Sequence, residues 1–455
     1  MAEGAAKISA RRVALQVVRD VFPAEERQAR AAQESLDYHL RSTELPPRDR
    51  ALATELAYGA IKMRRLIDWY LRPYICERPK PPPRATLEVL RLGAYELRFM
   101  RSAHHAVVHE WVGLAKTFGH RGTAGLVNAV LRSLIRDDPE EPMPEDFDDA
   151  DDYLGTSYSL PTWIVKQWRA QFDEAQLTQI LTTINAPAQS AVAVNTAKTS
   201  VDAALAWFEQ RGVAAKRSAL VGELLLIARE RGAGDQLTND GAWHPQNEAA
   251  AMPVDVLNPQ PGEKVLDVCS GRGNKALQAG ARLGVTLSAS KGEGALTCIE
   301  KDARKVRVLE RRLDEAGIRA AIVTGDATQE LLTGAFDRVV LDAPCSGSGL
   351  FGRCPEARWR KDSQDGARFA DLQRTLLERI ADRVYPGGVL VYSVCSTDPR
   401  EGRDVIEKFL REHRFERGLI PSRYATFLNE DGDIVIPPGI EGRDGFFIAR
   451  LEKTA

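Results

Sequence analysis

Lys264-Val-Leu-Asp-Val-Cys-Ser-Gly-Arg-Gly-Asn-Lys275 joins a short apolar run, a glycine-spaced turn and the start of a helical pattern that continues to Leu283. It reads as strand, sharp turn and helix, with Gly271 and Gly273 free to adopt backbone angles that side chains disfavour. The alternation continues downstream, where apolar runs at 296–300, 320–324, 338–342 and 389–393 are separated by helical patterns. Continuous apolar strands interleaved with helices predict a buried, mostly parallel sheet in an α/β domain. In open sheets of this kind ligands bind outside the carboxyl ends of the strands. Glu300, Asp326, Asp342 and two cysteine-bearing turns, around Cys345 and Cys395, all fall at such ends.

The residue types at those ends suggest a chemistry. The first turn, with helix behind it, can bring backbone N–H groups close to a ligand. With Ala276 it also satisfies G-x-G-x-x-A, so a nicotinamide cofactor stands as a reading beside an adenosyl one. Glu300 suits ribose hydroxyls in either case, and Asp326 is placed to meet an adenine edge. Two thiols at neighbouring strand ends suggest nucleophilic chemistry on a flat, unreactive ring. Structural cysteines are usually inert small hydrophobes, which is the reading given to Cys76, Cys269 and Cys298, and Cys354 receives no role. The six cysteines contain no C-x-x-C pair and the seven histidines show no ligand spacing, so no metal is expected.

The string Asp342-Ala-Pro-Cys-Ser-Gly-Ser-Gly349, followed by Pro355-Glu-Ala-Arg-Trp359, resembles the fourth motif of the RNA cytosine-5 methyltransferases, and Tyr392-Ser-Val-Cys-Ser396 resembles their sixth. On these strings the chain resembles the NOL1/NOP2/Sun family, and within it the Sun type that acts on bacterial 16S ribosomal RNA. The resemblance implies a Rossmann-like class I methyltransferase domain using S-adenosyl-L-methionine. It makes Cys395 the nucleophile, Cys345 the thiol that assists product release, and Asp342 the group that holds the cytosine ring. Cofactor binding then falls to Cys269, Ser270, Gly271, Arg272, Gly273, Asn274, Lys275, Glu300, Asp326 and Asp342. The chain departs from the family's Cys-Ala-Ala-Pro-Gly-Gly-Lys at the first motif, where Arg272 replaces a proline and Asn274 a glycine. Asn tolerates left-handed angles better than most residues, so the loop is expected to form. After the nucleophile, Glu401 persists but the Asn that commonly follows it does not. The Ser/Gly/Lys-rich stretch Thr286–Ala295 reads as a surface loop.

The rest of the chain extends the resemblance. Residues 1–136 carry apolar residues at helical spacing (Val13, Val17, Val18, Val21; Leu87, Leu90, Ala94, Leu97) and read as an all-α domain. Arg48–Gly59 and Gly125–Arg132 resemble the NusB-like RNA-binding domain of Sun-type enzymes. Arg11, Arg12, Arg64 and Arg65 are its candidate RNA contacts. Residues 137–152 are acidic, contain proline and lack Lys and Arg, and read as a solvated linker. Residues 153–240 form a small α+β segment, with strands near 191–195 and 224–228 and a helix over 201–211, and match a ferredoxin- or RRM-like domain. Residues 241–455 are the methyltransferase domain, where Arg353, Arg358, Arg360 and Lys361 are read as a phosphate track.

At 455 residues and a net charge of −2, the chain is long enough for several cores and is not globally basic. It lacks an eighteen-residue apolar run and a signal-peptide pattern, so a cytoplasmic protein with no membrane partner is expected, acting as a monomer. Three alternatives stay open: a transfer-RNA substrate, a non-catalytic RNA-binding assembly factor, and a nicotinamide oxidoreductase.

Overall fold

A computed structural model describes residues 9–23, 28–76, 80–119, 121–228, 240–285, 295–329 and 333–455. The chain divides into two compact units: Met1–Asn185 with Cys354–Arg360, and Ala186–Arg353 with Lys361–Ala455. Residues 286–294, read as a surface loop, lie outside the described residues.

The first unit is helical. Its opening helix, Ala10–Val21, is capped by the Ser9 hydroxyl, which accepts from the Arg12 N–H, and it buries Val13, Val17, Val18 and Val21 as their spacing predicts. Helices Ala32–Arg41, Pro47–Lys62, Arg64–Ile75, Arg84–Phe99, His104–Ala115 and Arg121–Asp137 follow. Gly59 is required where Pro47–Lys62 meets the Tyr95 ring, because a Cβ there would lie 1.9 Å from the ring. Charges in the core are paired. Glu96, fully buried, accepts from Arg11 Nε (2.9 Å) and Trp111 Nε1 (2.8 Å). Glu88 accepts from Arg64 (2.9 Å) and Arg91 (2.8 Å).

Two expectations change here. Arg11, Arg64 and Arg65 do not present free charge to RNA: the first two neutralise buried glutamates, and Arg65 pairs with Asp152 at 2.6 Å while donating to Leu160 O and Thr162 Oγ1. A stretch rich in acids needs cationic partners wherever it folds back, and the 137–152 segment finds them on its own unit. Asp138 and Glu141 meet Arg98, and Phe147 stacks on Trp69 at 5.0 Å between ring centres, so the segment is strapped to the helices rather than free as a linker. The helices Ala150–Ser157, Thr162–Arg169 and Glu174–Thr183 follow in the same compact unit.

The phosphate track is corrected as well. In the helical unit, Arg358 is fully buried, with Nη1 donating to Ser159 O (3.1 Å) and Asn185 Oδ1 (2.8 Å), and burial lowers its pKa to about 9. Trp359 Nε1 donates to Ile61 O (2.7 Å), and Arg360 donates to Val21 O. In the other unit Arg353 pairs with Asp444 at 2.9 Å. Arg358 is therefore structural, while Arg353 stays partly exposed beside its carboxylate.

The second unit carries two sheets. Strands β1 (Ser190–Val194), β2 (Ala215–Arg217), β3 (Leu224–Ile227) and β4 (Trp243–Pro245) form an antiparallel sheet in the order β2-β3-β1-β4. Val192, Val194, Leu225 and Trp243 pack with Phe208 of helix Val201–Glu209. This α+β element therefore extends past residue 240, because Trp243–Pro245 pairs with β1. The large sheet contains β5 (Lys264–Val268), β6 (Ala295–Glu300), β7 (Ala321–Thr324), β8 (Phe336–Asp342), β9 (Val384–Val394), β10 (Phe415–Arg417), β11 (Ile434–Ile436) and β12 (Phe446–Lys453). Its order is β10-β12-β9-β8-β5-β6-β7, with β11 beside β12. The five strands anticipated from the sequence are the parallel ones. The antiparallel strands β10, β11 and β12 had not been read from the sequence. Chain order reverses between β5 and β8, so a crevice opens beyond their carboxyl ends.

Candidate active site

The crevice begins at β5. Cys269 (φ 61°), Gly271 (φ 60°) and Gly273 (φ 88°) take left-handed backbone angles before the helix Asn274–Leu283. A Cβ at Gly271 would meet only the Cys269 carbonyl at 3.9 Å, so the space above the turn is open, but the positive φ still favours glycine. Asn274 is not one of the left-handed residues: it is the first residue of the helix. Its side chain instead accepts from Arg312 Nη1 (2.7 Å), which also donates to Arg272 O (2.7 Å). Arg312 thus clasps the two positions where the turn departs from the family pattern. It lies in an otherwise ordinary charged helix, Ala303–Ala316, so no sequence signal singled it out.

Glu300, at the end of β6, accepts from Gly271 N–H (2.8 Å) with one oxygen and Asp302 N–H (2.9 Å) with the other, which ties the second strand end to the turn. Asp326 follows β7 and accepts from both the N–H and the hydroxyl of Thr328. Those hydrogen bonds hold its carboxyl below the ordinary range and keep it anionic.

Asp267 was not among the residues singled out. It is fully buried in β5, and the Ser270 hydroxyl that could have served it donates instead to its backbone carbonyl at 2.9 Å. Neither carboxylate oxygen has a hydrogen-bond donor among the described residues. Burial pushes its pKa up to about 7, against the pull of Lys275. A buried polar group left without a partner costs free energy, and such groups cluster where a ligand supplies the missing donor.

Lys275, in the first turn of the helix, reaches across to Asp342 at 2.7 Å, and Ser393 donates to the other Asp342 oxygen at 3.0 Å. The first, fourth and sixth strings thus converge on one carboxylate. Beyond it the sulfurs of Cys345 and Cys395 lie 3.2 Å apart, each half-buried. The contact with Cys345, and then burial, hold the Cys395 thiol well above its ordinary pKa. Burial raises Cys269 to about 12, and Cys298 is fully buried and also raised, which suits inert thiols. Cys76 is exposed, not the buried hydrophobe its setting suggested.

Adjacent thiols beside a lysine-paired carboxylate thus lie at the switch point of the mostly parallel sheet. Residues 254–452 match the family described as 16S rRNA methyltransferase RsmB/F, residues 8–136 the NusB family, and residues 160–232 the RsmF/B-like ferredoxin-like domain. The chain is 31% identical to the probable ribosomal RNA small subunit methyltransferase B of Bacillus subtilis, covering 91% of this chain and 93% of that protein. It is 34% identical to ribosomal RNA small subunit methyltransferase B of Thermus thermophilus, covering 93% and 94%. The crystal structure of PH0851 matches with a TM-score of 0.80 at 24% identity, over 98% of this chain and 100% of that one. The chain belongs to the RsmB/F family of 16S rRNA methyltransferases. It is a methyltransferase, and the nicotinamide reading of the glycine spacing falls with that assignment.

Proposed function

We propose that the chain transfers a methyl group from S-adenosyl-L-methionine to carbon 5 of a cytosine in 16S ribosomal RNA, through a covalent bond between Cys395 and carbon 6 of the ring. The observation that carries this reading is the Cys345–Cys395 pair, with sulfurs 3.2 Å apart, beside the Asp342–Lys275 bridge. The residues present fit the cofactor: the space open above Gly271 admits a ligand at a helix N-terminus, Glu300 has further lone pairs for hydroxyls, and the Asp267 carboxylate, without a donor among the described residues, would welcome a cationic one. When bound, the cofactor supplies an electrophilic methyl on a sulfonium.

Carbon 5 of cytosine is a weak nucleophile, and a thiolate at carbon 6 changes that. Cys395 loses its proton and forms the sulfur–carbon bond. The ring double bond shifts its electrons, Asp342 stabilises the protonated ring nitrogen, and carbon 5 becomes an enamine terminus able to take the methyl. Removal of the carbon 5 proton then restores the double bond and expels the Cys395 sulfur, with Cys345 assisting release. A base inside a helix is out of a thiol's reach, so the cytosine must be unstacked.

Incubation with tritiated S-adenosylmethionine and unmodified 16S RNA, with transfer RNA as the parallel arm, tests the reaction and its address. Label is expected in 16S RNA alone. Absence of transfer at saturating cofactor would favour an assembly role, and label in transfer RNA would move the substrate. The Cys345→Ala chain is expected to accumulate a covalent RNA adduct on a denaturing gel, and accumulation by Cys395→Ala instead would reverse the two assignments.

A further inference from the structure

A single buried carboxylate holds both cysteine turns. Glu401 is fully buried, and its Oε1 accepts from the Ser346 N–H (2.7 Å) and Gln373 Nε2 (3.1 Å). Its Oε2 accepts from the hydroxyls of Ser346 and Ser396, the latter at 2.5 Å. Ser346 follows Cys345 in the chain and Ser396 follows Cys395. Around this centre, Ser348 Oγ lies 2.9 Å from Ser396 Oγ and accepts from Thr397 N–H (3.1 Å), Gly349 N–H donates to Cys395 O (3.1 Å), and Gln373 also donates to Pro344 O (2.9 Å). Glu401 is itself anchored, since the Tyr392 hydroxyl donates to its carbonyl at 2.5 Å. Burial raises the Glu401 pKa while the serine donors oppose that rise.

Two turns from different strand ends have no covalent reason to keep their sulfurs in contact. Four donors converging on one carboxylate supply that reason, and each turn contributes at least one of them. We infer that Glu401 is a positioning residue that sets the spacing of Cys345 and Cys395 by bonding the serine after each. Its carboxylate bonds the serines after the two cysteines and Gln373, so its effect runs through the backbone of the two turns. The inference rests on the reading that these two thiols do the work.

The arrangement of donors makes the role separable from charge. Oε1 faces two N–H groups, which can only donate, whereas Oε2 faces two hydroxyls, which can also accept. Glu401→Gln can therefore keep every bond, with its carbonyl towards Ser346 N–H and Gln373 and its NH2 towards the hydroxyls. Glu401→Ala loses all of them.

The test reads spacing first, without turnover. Diamide takes one hydrogen from each thiol and leaves an S–S bond, seen by mass as the loss of two hydrogens, and its rate depends on the sulfurs meeting in bonding geometry. Glu401→Ala, with folding checked by thermal melting, is expected to slow this bond about tenfold or more. A misplacement near 1 Å also predicts about a 10²-fold fall in kcat, with KM for both substrates little changed. Glu401→Gln is expected to restore both. An unchanged disulfide rate in Glu401→Ala would overturn the inference, and so would Glu401→Gln that keeps the disulfide rate yet loses kcat, since the charge would then act chemically. Should Cys395→Ala retain methylation, the catalytic reading fails while the disulfide result for Glu401 still reports on spacing.

Discussion

In the helical unit, interior charges such as Glu96, held by Arg11 and Trp111, and Glu88, held by Arg64 and Arg91, have been settled within the fold. In the crevice of the catalytic unit they have not. Asp267 is buried without a donor among the described residues, Cys269 sits at φ 61°, and two half-buried thiols press against each other. Unsettled groups are where a ligand or a reaction can change the balance, and settled ones resist change. On the proposed mechanism, the contrast separates residues that hold this protein together from residues that act.

The largest effect expected on the acting side is that of Cys395→Ala. Turnover should fall to background, a loss on the order of 10⁴-fold or more, with the melting temperature nearly unmoved. A variant that still methylates in the tritium assay would dissolve the contrast. On the holding side, Glu96→Ala strands Arg11 and a buried indole N–H. Denaturant unfolding should show a loss of about 3 to 5 kcal/mol, and kcat of the folded chain at low temperature should stay close to wild type. Loss of kcat without loss of stability would place Glu96 on the wrong side of the comparison.

Two smaller effects sharpen it. Because the neighbouring thiol and burial hold Cys395 above its ordinary pKa, the reactive thiolate is the minor form at neutral pH. Single-turnover rates should then climb about tenfold per pH unit from 7 to 9. A flat profile there would mean that the bound reactants activate the thiol themselves. Asp267 gives the smallest effect. With its folded pKa raised to about 7, the native state keeps a proton that the unfolded chain releases above pH 4, so this group removes stability as pH rises from 4 to 7. Asp267→Asn should stabilise the cofactor-free chain at pH 8 by about 1 kcal/mol, visible as a higher melting temperature, while weakening S-adenosylmethionine in calorimetry. Equal stability at pH 8 would show that the carboxylate finds a partner in solution.

Much of this is legible in the sequence. The strands at 264–268, 338–342 and 389–393 and the helix from 274 announce themselves by period, and the two cysteine strings by their residues. Several of the basic residues take other roles in the fold. Arg358 looks like any arginine in a charged run, and only the fold buries it against Ser159 and Asn185, distant in sequence. Arg312 and Asp267 were missed for the same reason, since the clasp on Asn274 and the absence of a donor are relations between elements, not properties of a string.

The sequence by itself determined the five parallel strands with the helices between them, the membership of the family and the thiols available, because hydrophobic period and turn chemistry act over a few residues. The tertiary structure alone decided which charges are spent in pairs and which groups meet across the crevice, because burial and hydrogen-bond partnership depend on neighbours that the chain brings together only when it closes.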